Sequence, residues 1–415
     1  MVARAQNINP SILTWARETA GLSVDEAAAK LGLSSSQKSS AAEKLEDFER
    51  GVKKPTRLQL LELAKRYHRP LTVFYLNEPP RKVDRGEDFR TLPEPVPPKE
   101  KALLDTLLRD VHARQGITKD ILEDDTERLD FIGSLRIDEN IEVAATRIKT
   151  KLRIRGDNWT KDCATSEGLF TDLRNRVENL GVFVLLIGNL GSHHSNISEK
   201  IFRGFAIADD LAPFIVINDQ DARGAWPFTL AHELVHLFVG RTGVSALPTT
   251  KALRTPSEKV ERFCNDVAGE LLLPTTSLES TSKIKNTEVA KGIISELAEE
   301  RNLSESMIAY RLRRIDRINE DIYSELYKFY TERWRDYKQQ TKEQRKGTAG
   351  GPSYYVARRH RLGGALLHLV GRTLRENQLT HTKAAQILGV KPNSVEPLLR
   401  GVKGINGSHL PEAEA

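Results

Sequence analysis

Ten consecutive residues, Phe228-Thr-Leu-Ala-His232-Glu233-Leu-Val-His236-Leu237, restrict what this chain can fold into more than any other stretch. Around the two histidines and the glutamate almost every position is apolar, so the segment reads as a helix buried in a core. Burying imidazoles and a carboxylate costs free energy unless something binds or pairs them. On a helix, residues four apart sit one turn above each other. His232 and His236 can therefore turn two ring nitrogens toward one zinc ion. Glu233 lies beside that face, where it can take a proton from a water. A core helix whose polar groups are satisfied by neighbours has the same pattern, and a third ligand is what separates the two readings.

That ligand is sought downstream, in Glu258-Lys-Val-Glu261-Arg-Phe-Cys264-Asn265-Asp266-Val-Ala-Gly-Glu270-Leu-Leu-Leu-Pro274. Val260, Phe263, Val267, Leu271 and Leu272 form a helical stripe that Pro274 ends. Glu261 and Asn265 lie one turn apart on it. The carboxylate can complete the metal set and the amide can hold a ligand histidine from behind. Glu258, Asp266 and Glu270 are rival carboxylates, and Cys264 reads better as a small buried residue than as a ligand.

The run F-T-L-A-H-E-L-V-H, followed by E-R-F-C-N-D-V-A-G-E-L-L-L-P, resembles the ImmA/IrrE metallopeptidases. The resemblance implies that His232, His236 and Glu261 bind one zinc per chain and that Glu233 is the general base. Manganese or iron also suits two histidines and a carboxylate. Ile215–Asn218 is similar to the strand the family places before its active-site helix. Val235 stands where glycine is frequent and Val267 where an aromatic is frequent, and neither change removes a chemical group. The resemblance covers roughly residues 8–90 and 165–315 well, and the tail more loosely. It implies a regulatory protease whose protein substrate is a repressor or an antitoxin-like partner. The residue that stabilises the oxyanion is not identified; His193 and His194 are candidates, although an exposed polar loop is the plainer account of both.

The expected fold class is α+β and predominantly helical. Residues 1–80 resemble a Cro/repressor-type (XRE) helix-turn-helix domain, with a capping box at Ser23–Glu26 and a closing segment at Pro70–Pro79. Its groove-facing helix carries Glu43, Glu46, Asp47 and Glu49 against Lys44 and Arg50. Phosphates repel such a face, which favours a protein-interaction or regulatory role, with Gln37 and Lys38 the residues left for DNA. Residues 81–160 read as a proline-stiffened linker and a helical segment. Residues 161–280 read as a zincin-like peptidase core on a small sheet, with strands at Val182–Ile187, Phe205–Ile207 and Phe214–Ile217. Residues 281–346 read as a helical extension with a helix-turn-helix-like segment at Ile294–Ile308, and residues 351–415 as a basic helical unit beyond a hinge at Gly347–Ser353.

That last unit carries nine lysines and arginines against two glutamates between Gly351 and Ile405, a +7 that exceeds the +6 of the whole chain. Leu379–Lys391 has helix-turn-helix spacing, so Arg358, Arg359, Arg361, Lys383 and Lys391 are candidate nucleic-acid contacts and DNA a candidate partner. A second copy of the chain is another. No apolar run approaches the ~18 residues a membrane span needs. The N-terminus lacks the apolar core of a signal peptide, and two cysteines make no disulfide framework. These features point to the cytoplasm. Two rivals to a regulatory peptidase stay open: a DNA-binding regulator with a dormant peptidase, and a toxin or defence effector. The presence of a base at Glu233 favours the catalytic readings over a structural zinc site.

Overall fold

The computed structural model describes residues 4–36, 39–80, 87–88, 97–123, 126–192, 195–245, 255–344 and 353–400. Gln37, Lys38, His193, His194, most of the proline-rich linker and the 347–352 part of the expected hinge lie outside them. The chain divides into two compact units.

The first unit is built on α1 (Pro10–Thr19), α2 (Val24–Lys30), α3 (Ala41–Glu49) and α4 (Arg57–Arg66). Three of them start with reciprocal capping boxes, Ser23/Glu26, Ser40/Glu43 and Thr56/Gln59, each satisfying two amides that a helix end leaves open. Ile12, Leu13, Ala16, Leu45, Leu60, Leu63, Tyr67 and Phe74 make its core. The acids of α3 have partners within the unit. Glu49 takes a bidentate bond from Arg17 at 2.8 and 3.0 Å, Asp47 pairs with Lys53 at 2.7 Å, and Glu43 caps its own helix.

The second unit holds a mixed sheet in the order β1-β5-β3-β4-β2. Its strands are β1 (Glu87–Asp88), β2 (Phe183–Leu186), β3 (Gly204–Ile207), β4 (Phe214–Ile217) and β5 (Gly243–Ser245). β3 runs antiparallel to β4 and β5, while β2 pairs with β4 in parallel. The three strands expected from sequence, β2, β3 and β4, are present, with the two short strands β1 and β5 beside them. β2, β3 and β4 are buried at every position, which is why they read as continuous apolar runs. After α5 (Pro98–Leu122), the helices α6 (Ile141–Lys151), α7 (Ser166–Glu178), α8 (Trp226–Val239) and α9 (Pro256–Leu272) build the layer that carries the candidate site; α8 packs on β3, β4, α7 and α9, and α6 on α9. Among the described residues, no helix is long and apolar enough to cross a membrane.

The second unit closes with α13 (Tyr354–Leu362), α14 (Gly364–Arg375), α15 (His381–Leu388) and α16 (Val395–Leu399). α13 and α14 pack on the edge strand β2 through one buried ion pair. Glu178 Oε2 accepts the first two amides of α14, from Gly364 at 3.0 Å and Ala365 at 3.1 Å. Arg174 donates to the carbonyls of His360 at 2.6 Å and of Val184 on β2. Edge strands present unpaired carbonyls to other chains; here an arginine occupies one of them. A side chain on Gly363 would collide with Glu178 and Arg174, so the tight crossing between α13 and α14 requires glycine, at φ 79°.

Candidate metal centre

α8 is entered through a single 3-10 turn at Arg223–Ala225, has Pro227 in its first turn, and stops at Gly240 in the left-handed conformation (φ 74°). A Cβ there would meet Gly133 Cα at 2.9 Å. That close approach lets the 133–135 segment complete the helix end: Gly133 and Leu135 donate their amides to the carbonyls of Leu237 and Phe238 at 3.1 and 2.8 Å. Every residue from Trp226 to Phe238 is buried. Its polar side chains thus sit in the interior by design of the backbone.

α9 begins at a Thr255/Glu258 capping box with Pro256 in its first turn, which orients it along α8. It brings Glu261 to the two imidazoles. The ring Nε2 atoms of His232 and His236 lie 3.1 Å apart, and Glu261 oxygens lie 2.9 Å from His236 Nε2 and 3.5 Å from His232 Nε2. One ligand atom from each residue falls within 4.8 Å of the others, and all three residues are buried. Donors bound roughly 2.0 Å from a tetrahedral ion stand about 3.3 Å from one another. The observed spacings bracket that value, so the donor set fits such an ion.

The rival carboxylates are engaged elsewhere. Glu258 caps α9. Asp266 takes two bonds from Arg314, both 2.7 Å, and one from the Tyr310 hydroxyl. Glu270 accepts from Thr275 and pairs with Arg311. Burial and the nearby negative charges of Glu261 and Glu233 raise the Cys264 thiol well above its ordinary range, so it stays protonated. Asn265, one turn beyond Glu261, is close enough to His232 to favour its charged form.

The electrostatics follow from proximity. Burial alone would raise the Glu261 carboxyl; the charge of His232 and hydrogen bonds from His232 and His236 overcome it and hold it at about 2. Burial would lower His232, but the negative charges of Glu261 and Glu233 win and raise it above 6.5. A proton on the imidazole competes with an ion for the same nitrogen. Metal retention should therefore weaken as pH falls, starting above the range where a free imidazole titrates. Dialysis of loaded protein at stepped pH, followed by metal analysis, checks this; undiminished retention down to about pH 5 would overturn it.

Glu233 is fully buried beside the ligand pair. What makes room for it is Gly204 on β3: an added Cβ would stand 2.6 Å from Glu233 Oε1 and 2.9 Å from Thr229 Cγ2. Gly204 is a site residue that the sequence did not flag, since the approach of strand to helix is long-range. Gly204→Ala should lower stability by ~1–3 kcal/mol through overpacking. Gly292→Ala is the control. It lies inside helix α10 (Thr287–Arg301) with no atom near the added methyl, and should be neutral or stabilising by up to ~1 kcal/mol. Denaturant midpoints of the two variants decide it, and equal responses would refute the crowding account.

The candidate nucleic-acid residues divide. Arg358 donates to the carbonyls of Leu388 and Gly389 at 2.9 and 2.8 Å, Arg359 to that of Leu398 at 3.2 Å, and Arg361 pairs with buried Asp219 at 2.8 Å. All three hold the C-terminal helices together or against the sheet layer. Lys383 and Lys391 are exposed.

Residues 190–313 match the IrrE N-terminal-like domain of the M78 peptidases, a match covering less than a third of the chain. It supports the ImmA/IrrE family for this region and, with the buried His-His-Glu group, a metallopeptidase with a metal cofactor. No curated protein and no solved structure matches the chain.

Proposed function

We propose that this chain is a regulatory zinc metallopeptidase that hydrolyses a peptide bond in a protein partner of the repressor or antitoxin type. The buried convergence of His232, His236 and Glu261, with Glu233 beside it, carries the reading. Zinc bound by those three residues would act as a Lewis acid on the scissile carbonyl and the attacking water. Glu233 accepts the proton of that water and returns it to the leaving amine. Asn265 steadies His232, and the apolar walls of α8 and α9 keep bulk water away from Glu233. We assign the N-terminal helices, as an XRE-type unit, to recognition of a protein regulator, because the acids of α3 make a poor phosphate-facing surface.

The test incubates wild type and Glu233→Gln, both checked for bound zinc, with lysates of stressed and unstressed cells of the source organism. New peptide termini produced by wild type alone support the peptidase and name its substrate. Two zinc-loaded proteins that cut nothing in either lysate would sink the reading.

A further inference from the structure

Away from the metal centre, the segment before α10 and the turn between α11 (Glu305–Arg314) and α12 (Glu320–Gln344) border an open cleft of about 670 Å³. Pockets that hold small ligands span roughly 300–1,000 Å³. Four cationic side chains line it, Lys283, Lys285, Arg313 and Arg317, together with the acids Asp316 and Glu320. Both acids are committed to one of the four: Arg313 bonds Asp316 at 3.1 Å and Glu320 at 2.8 Å. Among the described residues, Lys283, Lys285 and Arg317 make no side-chain hydrogen bond or ion pair.

The backbone holds the two segments that carry these residues together. The amide of Ile284, between the two lysines, donates to the carbonyl of Arg317 at 2.8 Å. The Arg317 Nε is fully buried, which anchors the guanidinium in the wall of the cleft. An anion in the cleft would give these three cations the opposite charge that they lack. A guanidinium recognises phosphate with paired donors, and flanking ammonium groups add point charges. Ile284 and Ile318, both buried, give the cleft an apolar floor.

We propose that this cleft binds a phosphorylated small molecule, its phosphate on Arg317 between Lys283 and Lys285 and its apolar part over Ile284 and Ile318. The site is independent of the metal centre and of the peptidase reading. A phosphate can also come from a nucleic-acid backbone; the apolar floor favours a small ester, and the experiment separates the two.

Calorimetric titration of the full chain with phenyl phosphate, inorganic phosphate, phenol and a single-stranded oligonucleotide tests the proposal. Saturable one-to-one binding of phenyl phosphate is expected, tighter than inorganic phosphate, with no binding of phenol. Arg317→Gln and, separately, Lys283→Gln/Lys285→Gln should each weaken it about tenfold or more, while Lys383→Gln leaves it unchanged. The lysine pair is exposed, so that variant keeps its fold and the test survives if Arg317→Gln does not. No saturable binding at millimolar phenyl phosphate overturns the proposal, as does affinity indifferent to the lysine pair. An oligonucleotide that needs these residues while phenyl phosphate fails to bind also overturns it.

Discussion

Glu233→Gln should abolish measurable cleavage, with a fall of about 10²–10⁴-fold, while leaving bound metal and unfolding midpoint close to wild type. The substitution exchanges one oxygen for an amide nitrogen of the same size. Size matters here because Gly204 leaves room for this side chain and nothing larger. The glutamine cannot accept a proton, whereas His232, His236 and Glu261 keep their spacing. Metal analysis beside cleavage kinetics separates this from the effect of His236→Ala, which removes a donor and should strip the ion. If Glu233→Gln retains activity within tenfold, Glu233 is not the base.

The second large effect concerns stability. Arg174→Met should cost roughly 3–5 kcal/mol, because it leaves the buried Glu178 carboxylate without its cation. The side chains of both residues are only 8% exposed. The loss also frees the carbonyls of Val184 and His360 that Arg174 satisfies. The double variant Arg174→Met/Glu178→Leu should recover part of that cost, since removing both members of a buried pair is less damaging than orphaning one. The amides of Gly364 and Ala365 would then lack their acceptor, so recovery is incomplete. Chemical unfolding of the three proteins measures it. A single-variant loss under ~1 kcal/mol would show that the pair does not hold α13 and α14 in place.

The sequence made α8 legible because its apolar period and the four-residue spacing of its histidines both belong to one helix. The Glu261 helix was legible for the same reason, but not which carboxylate faced the histidines. That depended on Arg314, Tyr310, Arg311 and the Thr255 cap, three of them far along the chain. Strand β5 spans three residues and β1 two, too short for any alternation to register. Arg174 and Glu178, four apart on α7, look like an ordinary exposed helix pair; only tertiary packing buries them. The same blindness affected the tail. Arg358, Arg359 and Arg361 read as candidate nucleic-acid contacts, and each is turned to a carbonyl or carboxylate of the fold. Charge counts locate cations along a chain but do not say which way they point.

The ion pair under α14 also sets an order of events during synthesis. His232, His236 and Glu261 all precede residue 273, but the partners that seal the sheet edge come from residues 360–365. At about 5–20 residues per second, a ribosome needs roughly 5–20 s to cover the intervening ninety or so residues. Throughout that interval the Arg174–Glu178 pair lacks its final backbone partners and strand β2 offers an open edge. The newborn chain thus has the parts of its metal centre before it has the clasp that closes the same layer. This is a window in which another strand, or a chaperone, can compete for that edge.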